Sequence, residues 1–191
     1  MNDRSGPGGT LLETERLRLR PWRVEEAAIH RELWTERDPR VPAHRRIDAD
    51  GRPSLADLEN WIRWAARTSG DGLGLPALER KSEGDVIGYC GLVEGGPGAY
   101  ALDPERPGPE IAFELLRRAQ GRGYATEAAL AVEQWAREAR IERLHATVWA
   151  WNAPSLRVLG KLGFVTTRTL TSEGGHGDML VTTKVLRPLT T

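Results

Sequence analysis

The sequence predicts a single α/β domain, and three observations carry that reading. The run Glu110-Ile111-Ala112-Phe113-Glu114-Leu115-Leu116 reads as a strand, and it leads through a glycine-bearing turn into a helical run over residues 126–138. Leu17 and Leu19 alternate with Arg16, Arg18 and Arg20, the period of a half-buried strand. Further strand-like and helix-like runs continue along 191 residues, a length for which one domain is the default and which suffices to bury a sizeable apolar core.

In chain order, Pro21 ends the first strand and residues 24–34 read as a helix, with Asp38-Pro39 and Pro42 as breakers beyond it. Residues 36–53 hold Pro39, Pro42, His44, Gly51 and Pro53, so a long irregular segment is expected; such loops in compact domains often bind ligands. Ser54-Leu55-Ala56-Asp57 has the form of a capping box with a short acid. Leu55, Leu58, Ile62 and Ala65 then recur at helical spacing, with Trp61 and Trp64 beside them, until Gly70 and Gly72. Residues 73–80 and 85–94 read as strands joined at Ser82-Glu83-Gly84, and residues 95–109, rich in Gly and Pro, as a loop. Past the central turn, Ala128, Val132, Trp135 and Ala139 share a helical face that should pack on the sheet. Residues 143–149 read as a strand. Asn152 stands at the next helix N-terminus, Pro154 suits its first turn, and Gly163 stops it after Lys161. Residues 164–170 and 178–186 make a last pair of strands around Ser172-Glu173-Gly174-Gly175-His176-Gly177. No internal repeat and no second domain is visible.

The charge balance narrows the function. With 27 basic and 27 acidic residues the net charge is +0, which speaks against a bulk nucleic-acid or membrane-surface binder. No apolar run reaches the roughly 20 residues of a membrane span. Residues 1–10 are Gly-rich without an apolar signal core and read as a disordered tail or tag remnant, leaving residues 11–187 as the domain. One cysteine, Cys90, excludes an intrachain disulfide, and together these features favour a reducing, cytoplasmic setting. Cys90 lies in an apolar strand and reads as a small core residue rather than a nucleophile. The four histidines show no metal-ligand spacing, and one cysteine cannot build a zinc site, so no metal is expected.

The central turn is Gln120-Gly121-Arg122-Gly123-Tyr124-Ala125-Thr126-Glu127. The first amides of a helix lack internal partners and carry the positive end of its dipole, so a strand–glycine turn–helix is a natural phosphate seat. The lysine and spacing of a P-loop are missing, and Thr126 stands where the dinucleotide fingerprint needs its third glycine. The pattern that fits is Q/R-x-x-G-x-G/A, on Gln120, Gly123 and Ala125. It resembles the acyl-CoA pyrophosphate loop of the GNAT superfamily of N-acetyltransferases, and the string GRGYATEA resembles its ribosomal-protein N-terminal acetyltransferase branch. Three more pieces agree in order: residues 15–22, residues 86–92, and Asn152-Ala153-Pro154-Ser155 followed by Lys161-Leu162-Gly163-Phe164. The resemblance covers roughly residues 11–187. It implies one mixed, mostly antiparallel sheet with a splayed parallel central strand pair, flanked by helices. It implies acetyl-CoA as cosubstrate, a primary amine as acceptor and attack within a ternary complex; a homodimer stays open.

The same resemblance distributes roles. Phe113, Glu114 and Leu115 offer backbone contacts to the cofactor in the gap between the parallel strands. Gln120, Gly121, Arg122, Gly123, Tyr124, Ala125 and Thr126 surround the pyrophosphate, and Arg117, Arg118 and Arg122 supply nearby positive charge. Asn152 resembles a cofactor-contacting asparagine, or is a plain helix cap. Glu110, at the start of the site strand, resembles the family base; it reads equally as a surface glutamate at a strand entry. Glu114 shares its face at period two and is the second choice. Glu127 is explained by the helix dipole. Many members carry a tyrosine two residues before the Lys-x-Gly-Phe lysine, and Leu159 stands there here. Ser155 is then the candidate for meeting the leaving thiolate, against simple first-turn backbone bonding.

The acceptor could be a protein N-terminus, an amino-acid-like metabolite or an aminoglycoside. The alternative is a non-catalytic acyl-CoA-binding or protein-interaction module. The acceptor is expected between residues 36–53 and the last hairpin loop, where Glu36, Asp38, Asp48, Asp50, Glu173 and Asp178 attract a cationic amine and Arg37, Arg40, Arg45 and Arg46 offset that field. Trp34, His44, Trp149 and Trp151 are candidate walls, although core packing explains each as well. Trp61 and Trp135 are expected in the core.

Overall fold

The computed structural model describes residues 9–68, 73–93, 108–171 and 175–186. The elements run β1 (Leu12–Glu13), β2 (Leu17–Arg20), a 3-10 turn (Val24–Glu26), α1 (Ala27–Glu36), α2 (Leu55–Thr68), β3 (Ala77–Arg80), β4 (Val86–Val93), β5 (Glu110–Leu115), α3 (Tyr124–Glu138), β6 (Arg143–Trp149), α4 (Ala153–Leu162), β7 (Val165–Leu170) and β8 (Met179–Val185). The strands form one sheet in the order β1-β2-β3-β4-β5-β6-β8-β7. Every neighbouring pair is antiparallel except β5–β6, which is parallel.

Leu17 and Leu19 are fully buried, as their alternation demands, but Arg20 is buried too, at 3 % exposure. Its guanidinium is held by Glu79 on β3 (2.7 Å) and Glu26 (2.6 Å), so the last arginine of the strand lies inside rather than outside. The strand expected from residue 73 begins only at Ala77. Pro76 has no N–H to give a ladder, and residues 74 and 76 instead offer their carbonyls to Leu92 and Cys90. At the head of α2, Ser54 and Asp57 exchange hydrogen bonds as a capping box does: the Asp57 N–H donates to Ser54 Oγ, and the Ser54 N–H to Asp57 Oδ2. The Ser54 hydroxyl and the Ser54 N–H, both donating to Oδ2, hold the Asp57 carboxyl below its ordinary range.

On α3, Ala128, Ala129, Val132 and Ala136 are fully buried and join Ile87, Cys90, Ile111 and Leu115 of the sheet in the main core. Trp135 is half-buried against that core. Ala139 does not belong to the buried face, because the helix ends at Glu138 and Ala139 caps it. A second, smaller core joins Ala27, Leu58 and Ile62, with Trp22 and Val24 against it. Trp61 is not a core residue: it is 36 % exposed and lies on His30, ring centres 5.0 Å apart. On α4, Asn152 caps the N-terminus by accepting from the Ser155 N–H (3.2 Å), and Gly163 ends the helix at φ 80°. Residues 1–8 of the tail expected over residues 1–10, and most of the loop expected at 95–109, lie outside the described residues.

His30 on α1 is 7 % exposed, and aromatic rings of Trp22, Trp61 and Tyr89 surround it. Burial, reinforced by the nearby Arg37 charge, holds its imidazole down at about 4, from an ordinary 6.5. The unfolded chain therefore takes up a proton near pH 6.5 that the fold refuses until about pH 4. Stability from this residue is complete above pH 6.5 and is lost as the pH falls toward 4, by about 3 kcal/mol in all. Chemical denaturation at pH 7, 5.5 and 4 will show a steeper acid loss for the native chain than for His30→Phe. Parallel curves for the two would mean that His30 titrates normally in the fold.

Candidate active site

Strands β5 and β6 touch at one backbone bridge, Glu110 opposite His145, where the His145 N–H donates to the Pro109 carbonyl (3.0 Å). Past that bridge no further register pair joins them. A cavity of about 840 Å³ opens there, lined by Glu110 through Leu115 on β5 and Ala146 through Trp149 on β6. The start of α3, the first turns of α4 and residues 36–45 complete its wall.

At the α3 end, the turn takes the conformation that two glycines permit. Gly121 (φ 75°) and Gly123 (φ 84°) both lie in the left-handed region, and Gly123 immediately precedes the helix. The Gln120 amide reaches back to the Leu115 carbonyl (2.8 Å) and braces the turn against β5. From Gly121 to Thr126, no backbone N–H has a hydrogen-bond acceptor among the described residues; the first paired amide is that of Glu127, to Gly123. A run of unpaired amides at a helix start is a cradle for an anion. Gly121, Gly123, Ala125 and Thr126 line the cavity, and Tyr124 is buried beneath the Arg16 guanidinium at 4.6 Å. Arg122 lies outside the lining, its carbonyl accepting from Arg16. Glu127 faces β2: Thr14 and Arg16 donate to it, and although burial pushes its carboxyl up, these donors hold it low.

The arginines expected around the phosphates have other partners. Arg117 binds the Glu36 carbonyl (2.7 Å), and Arg118 pairs with Glu32 (2.6 Å). Both tie the turn to α1, and of the two only Arg117 lines the cavity.

Two carboxylates stand along β5. Glu110 Oε1 accepts the Thr147 N–H (2.8 Å) and, at short range, the Thr147 hydroxyl. Glu114 is held from both sides: Arg37 donates to its two oxygens (2.8 and 2.6 Å) and the Tyr89 hydroxyl adds a third bond (2.8 Å). Arg37 lies over the Trp34 ring at 4.2 Å and donates to the Arg45 carbonyl (2.7 Å). Burial, with the Glu114 charge beside it, pushes the Tyr89 hydroxyl well above its ordinary range. Glu114, the second choice for a base, thus carries three donors, whereas Glu110 has both of its bonds on one oxygen. Sequence reasoning missed the partnership of Glu110 with Thr147, and that of Glu114 with Arg37 and Tyr89.

Ser155 and Asn152 line the opposite wall on α4, as does Leu159, which is 3 % exposed and brings no titratable group where the resemblance expects a tyrosine. The carbonyl of the Asn152 side chain serves as the helix cap. Cys90 on β4 is fully buried and outside this wall, and burial pushes its thiol far up.

At the mouth, the segment after α1 meets the last hairpin. The Arg40 guanidinium lies over Trp151 at 4.1 Å and pairs with Asp38 (2.8 Å), holding that carboxyl down at about 2. The Arg40 carbonyl bonds His176, the Trp151 indole donates to the His176 carbonyl (2.9 Å), and Trp149 stacks on Trp151 at 6.2 Å. Trp149, Trp151, Glu36, Asp38 and Arg45 line the cavity. His44, Asp48 and Asp50 do not; Asp48 instead closes a turn by accepting the Arg52 N–H (2.7 Å). Trp34 lies behind Arg37 rather than on the wall, and Glu173 falls outside the described residues. Among the described residues, no group of three His, Cys, Asp or Glu could hold a metal ion, and no helix is long and apolar enough to cross a membrane.

Residues 16–165 match the model of the acetyltransferase (GNAT) domain. The uncharacterized protein YkkB of Bacillus subtilis is 29% identical over 163 residues, 84% of this chain and 88% of its own. The uncharacterized N-acetyltransferase p20 of Bacillus licheniformis is 27% identical over 158 residues, 80% of this chain and 81% of its own. Among solved structures, a GNAT-family acetyltransferase from Bacillus anthracis superposes with a TM-score of 0.68 at 19% identity, over 91% of this chain and 97% of that one. A ribosomal-protein-alanine N-acetyltransferase from Brucella melitensis gives 0.64 at 21% identity, over 89% and 99%. The protein yncA from Salmonella typhimurium, solved with its cofactor acetyl-CoA, gives 0.60 at 17% identity, over 93% and 98%. These structures share the fold.

Proposed function

Because this chain belongs to the GNAT superfamily of acetyltransferases, we propose that it transfers the acetyl group of acetyl-CoA to a primary amine by direct attack in a ternary complex. One observation carries the reading: the unpaired amides from Gly121 to Thr126 open onto the gap between β5 and β6, and a carboxylate, Glu110, stands at the closed end of that gap. Acetyl-CoA supplies the activated thioester. The amides of the turn hold its pyrophosphate, with Gln120 bracing them, and the backbone of Phe113, Glu114 and Leu115 lies along its arm. Glu110 takes the proton of the attacking amine as the C–N bond forms, and Ser155 and Asn152 face the sulfur as the C–S bond breaks.

The acceptor enters at the mouth between residues 36–45 and the last hairpin. There Asp38 is paired with Arg40 and Glu114 with Arg37, which offsets two of the acids, and Glu36 accepts the Arg117 N–H. This balance gives a polycationic aminoglycoside no advantage over a protein N-terminus or an amino-acid-like metabolite. The string GRGYATEA supports a place in the branch that modifies protein N-termini, and the lone buried Cys90 supports a cytoplasmic setting.

Free-thiol release from acetyl-CoA with a broad panel of amines tests transfer. Acetyl-CoA that binds without thiol release on any amine would leave a binding module. Gly123→Glu tests the turn. It places a side chain at φ 84° in the cradle and is expected to weaken acetyl-CoA binding roughly tenfold or more, about 1.4 kcal/mol, with the fold intact. Unchanged affinity by calorimetry would move the phosphate site elsewhere.

A further inference from the structure

We infer that Thr147 is the residue that positions Glu110 for proton transfer, fixing the carboxylate through Oε1 so that Oε2 takes the proton from the acceptor amine. The inference rests on the reading of Glu110 as base and adds to it the group that aims it. Its ground is the place where the parallel ladder stops. At the bridge, the His145 N–H donates to Pro109 in the ordinary parallel pattern. In a continuing ladder the next inward N–H on β6, that of Thr147, would donate to a β5 backbone carbonyl two residues on. It donates instead to the Glu110 carboxylate at 2.8 Å. The side chain has taken the ladder's place, and it does so where the strands part.

The Thr147 hydroxyl donates to the same oxygen. Two donors from one residue, one of them rigid backbone, fix both the position and the rotation of the carboxylate. Oε2 has no partner among the described residues, and Glu110 lines the cavity. Glu114, by contrast, has both oxygens engaged by Arg37 and one of them also by Tyr89. The other titratable groups bounding this part of the site are His145 on β6, whose Nδ1 meets the Thr183 hydroxyl, Glu114 and Tyr89 on β5 and β4, and Arg37 after α1.

Removing the hydroxyl donor leaves the carboxylate free to turn about its one remaining bond, that from the Thr147 N–H. Thr147→Val keeps the β-branched shape and the backbone N–H, and Thr147→Ser keeps the hydroxyl. The experiment is the pH dependence of kcat and kcat/KM for the native chain, Thr147→Val, Thr147→Ser, Glu110→Gln and the double variant Thr147→Val/Glu110→Gln, using the best acceptor from the amine panel. Thr147→Val is expected to lower kcat about tenfold. The KM for acetyl-CoA should stay put, and Thr147→Ser should restore most of the rate. The double variant should be no slower than Glu110→Gln alone. If Glu110→Gln is slow while Thr147→Val keeps the native profile, Thr147 does not position the base. A serine variant that behaves like the valine one would exclude the hydroxyl's role in the same way. If Glu110→Gln itself is as fast as the native chain, the base reading falls, and the positioning role with it.

Discussion

Glu110→Gln lowers kcat by about 10²–10⁴-fold, the usual contribution of a positioned general base, with little change in the KM for acetyl-CoA. The substitution is a clean probe here because of how Glu110 is held. The Thr147 N–H and hydroxyl both end on Oε1, and a glutamine oxygen can accept both. Shape and anchoring survive, while the oxygen that faces the cavity becomes an amide nitrogen that cannot take a proton. A strand-entry glutamate with a structural role only would tolerate this exchange. The two roles therefore separate in one measurement, a pH–rate profile at saturating acetyl-CoA. A profile matching the native one in height and shape removes Glu110 from the mechanism and leaves the proton to water. Loss of rate together with loss of acetyl-CoA affinity would instead mean that the closed end of the gap had reshaped.

Arg20→Ala destabilises the fold by about 3–5 kcal/mol, the range for removing one partner of a buried charge pair. Arg20 is 3 % exposed and Glu79 8 %. The guanidinium donates to Glu79 (2.7 Å), to both oxygens of Glu26 (3.0 and 2.6 Å) and to the Pro21 carbonyl (3.1 Å). Burial pushes the Glu79 carboxyl up, and the Arg20 and Arg18 donors more than offset it. Alanine leaves Glu79 with only the Arg18 guanidinium at 3.4 Å, and Glu26 with only the Arg23 N–H at the entry to α1. Urea denaturation at pH 7 measures the loss. The double variant Arg20→Ala/Glu79→Ala should be less destabilised than the sum of its single changes, because the second removes a buried charge that the first left without its closest partner. A loss below about 1 kcal/mol for Arg20→Ala would put this pair among ordinary surface ion pairs.

Local pattern reports some of this molecule well. Residues 143–149 show strand signals without a break, and the strand forms over that span. The glycines of the central turn announce positive φ, and both have it. Asn152, Pro154 and Gly163 mark the ends of α4 where they fall. Local pattern cannot report which side chains meet across the chain. Arg37 and Glu114 are 77 residues apart, and Thr147 and Glu110 37 apart. Neither pair leaves a periodic trace, since only the folded sheet brings them together. The same holds for Arg117 and Arg118, whose position beside the turn suggests phosphate, while α1 brings Glu36 and Glu32 within their reach. Arg20 fails for a related reason. Alternation assigns it to the solvent face, but the turn into α1 folds back over that face and brings its own acid. Thr147 lines the cavity on β6, and threonine's liking for strands hides that role in the sequence.

The parting of β5 and β6 has a meaning for the life of the chain outside the test tube. A strand edge with unpaired N–H and C=O groups is a template for adding another chain, the first step of sheet aggregation. This fold makes two such edges by splitting its sheet, yet it turns them toward each other in the interior, roofed by residues 36–45 and flanked by α3 and α4. Among the described residues, the borders of the sheet are blunted by other means. One is β1, two residues long, and the other is β7, which carries Thr166, Thr167, Arg168 and Thr169 in its middle. The unsatisfied backbone that ligand binding calls for therefore faces the fold's own residues rather than running along an outer edge of the sheet.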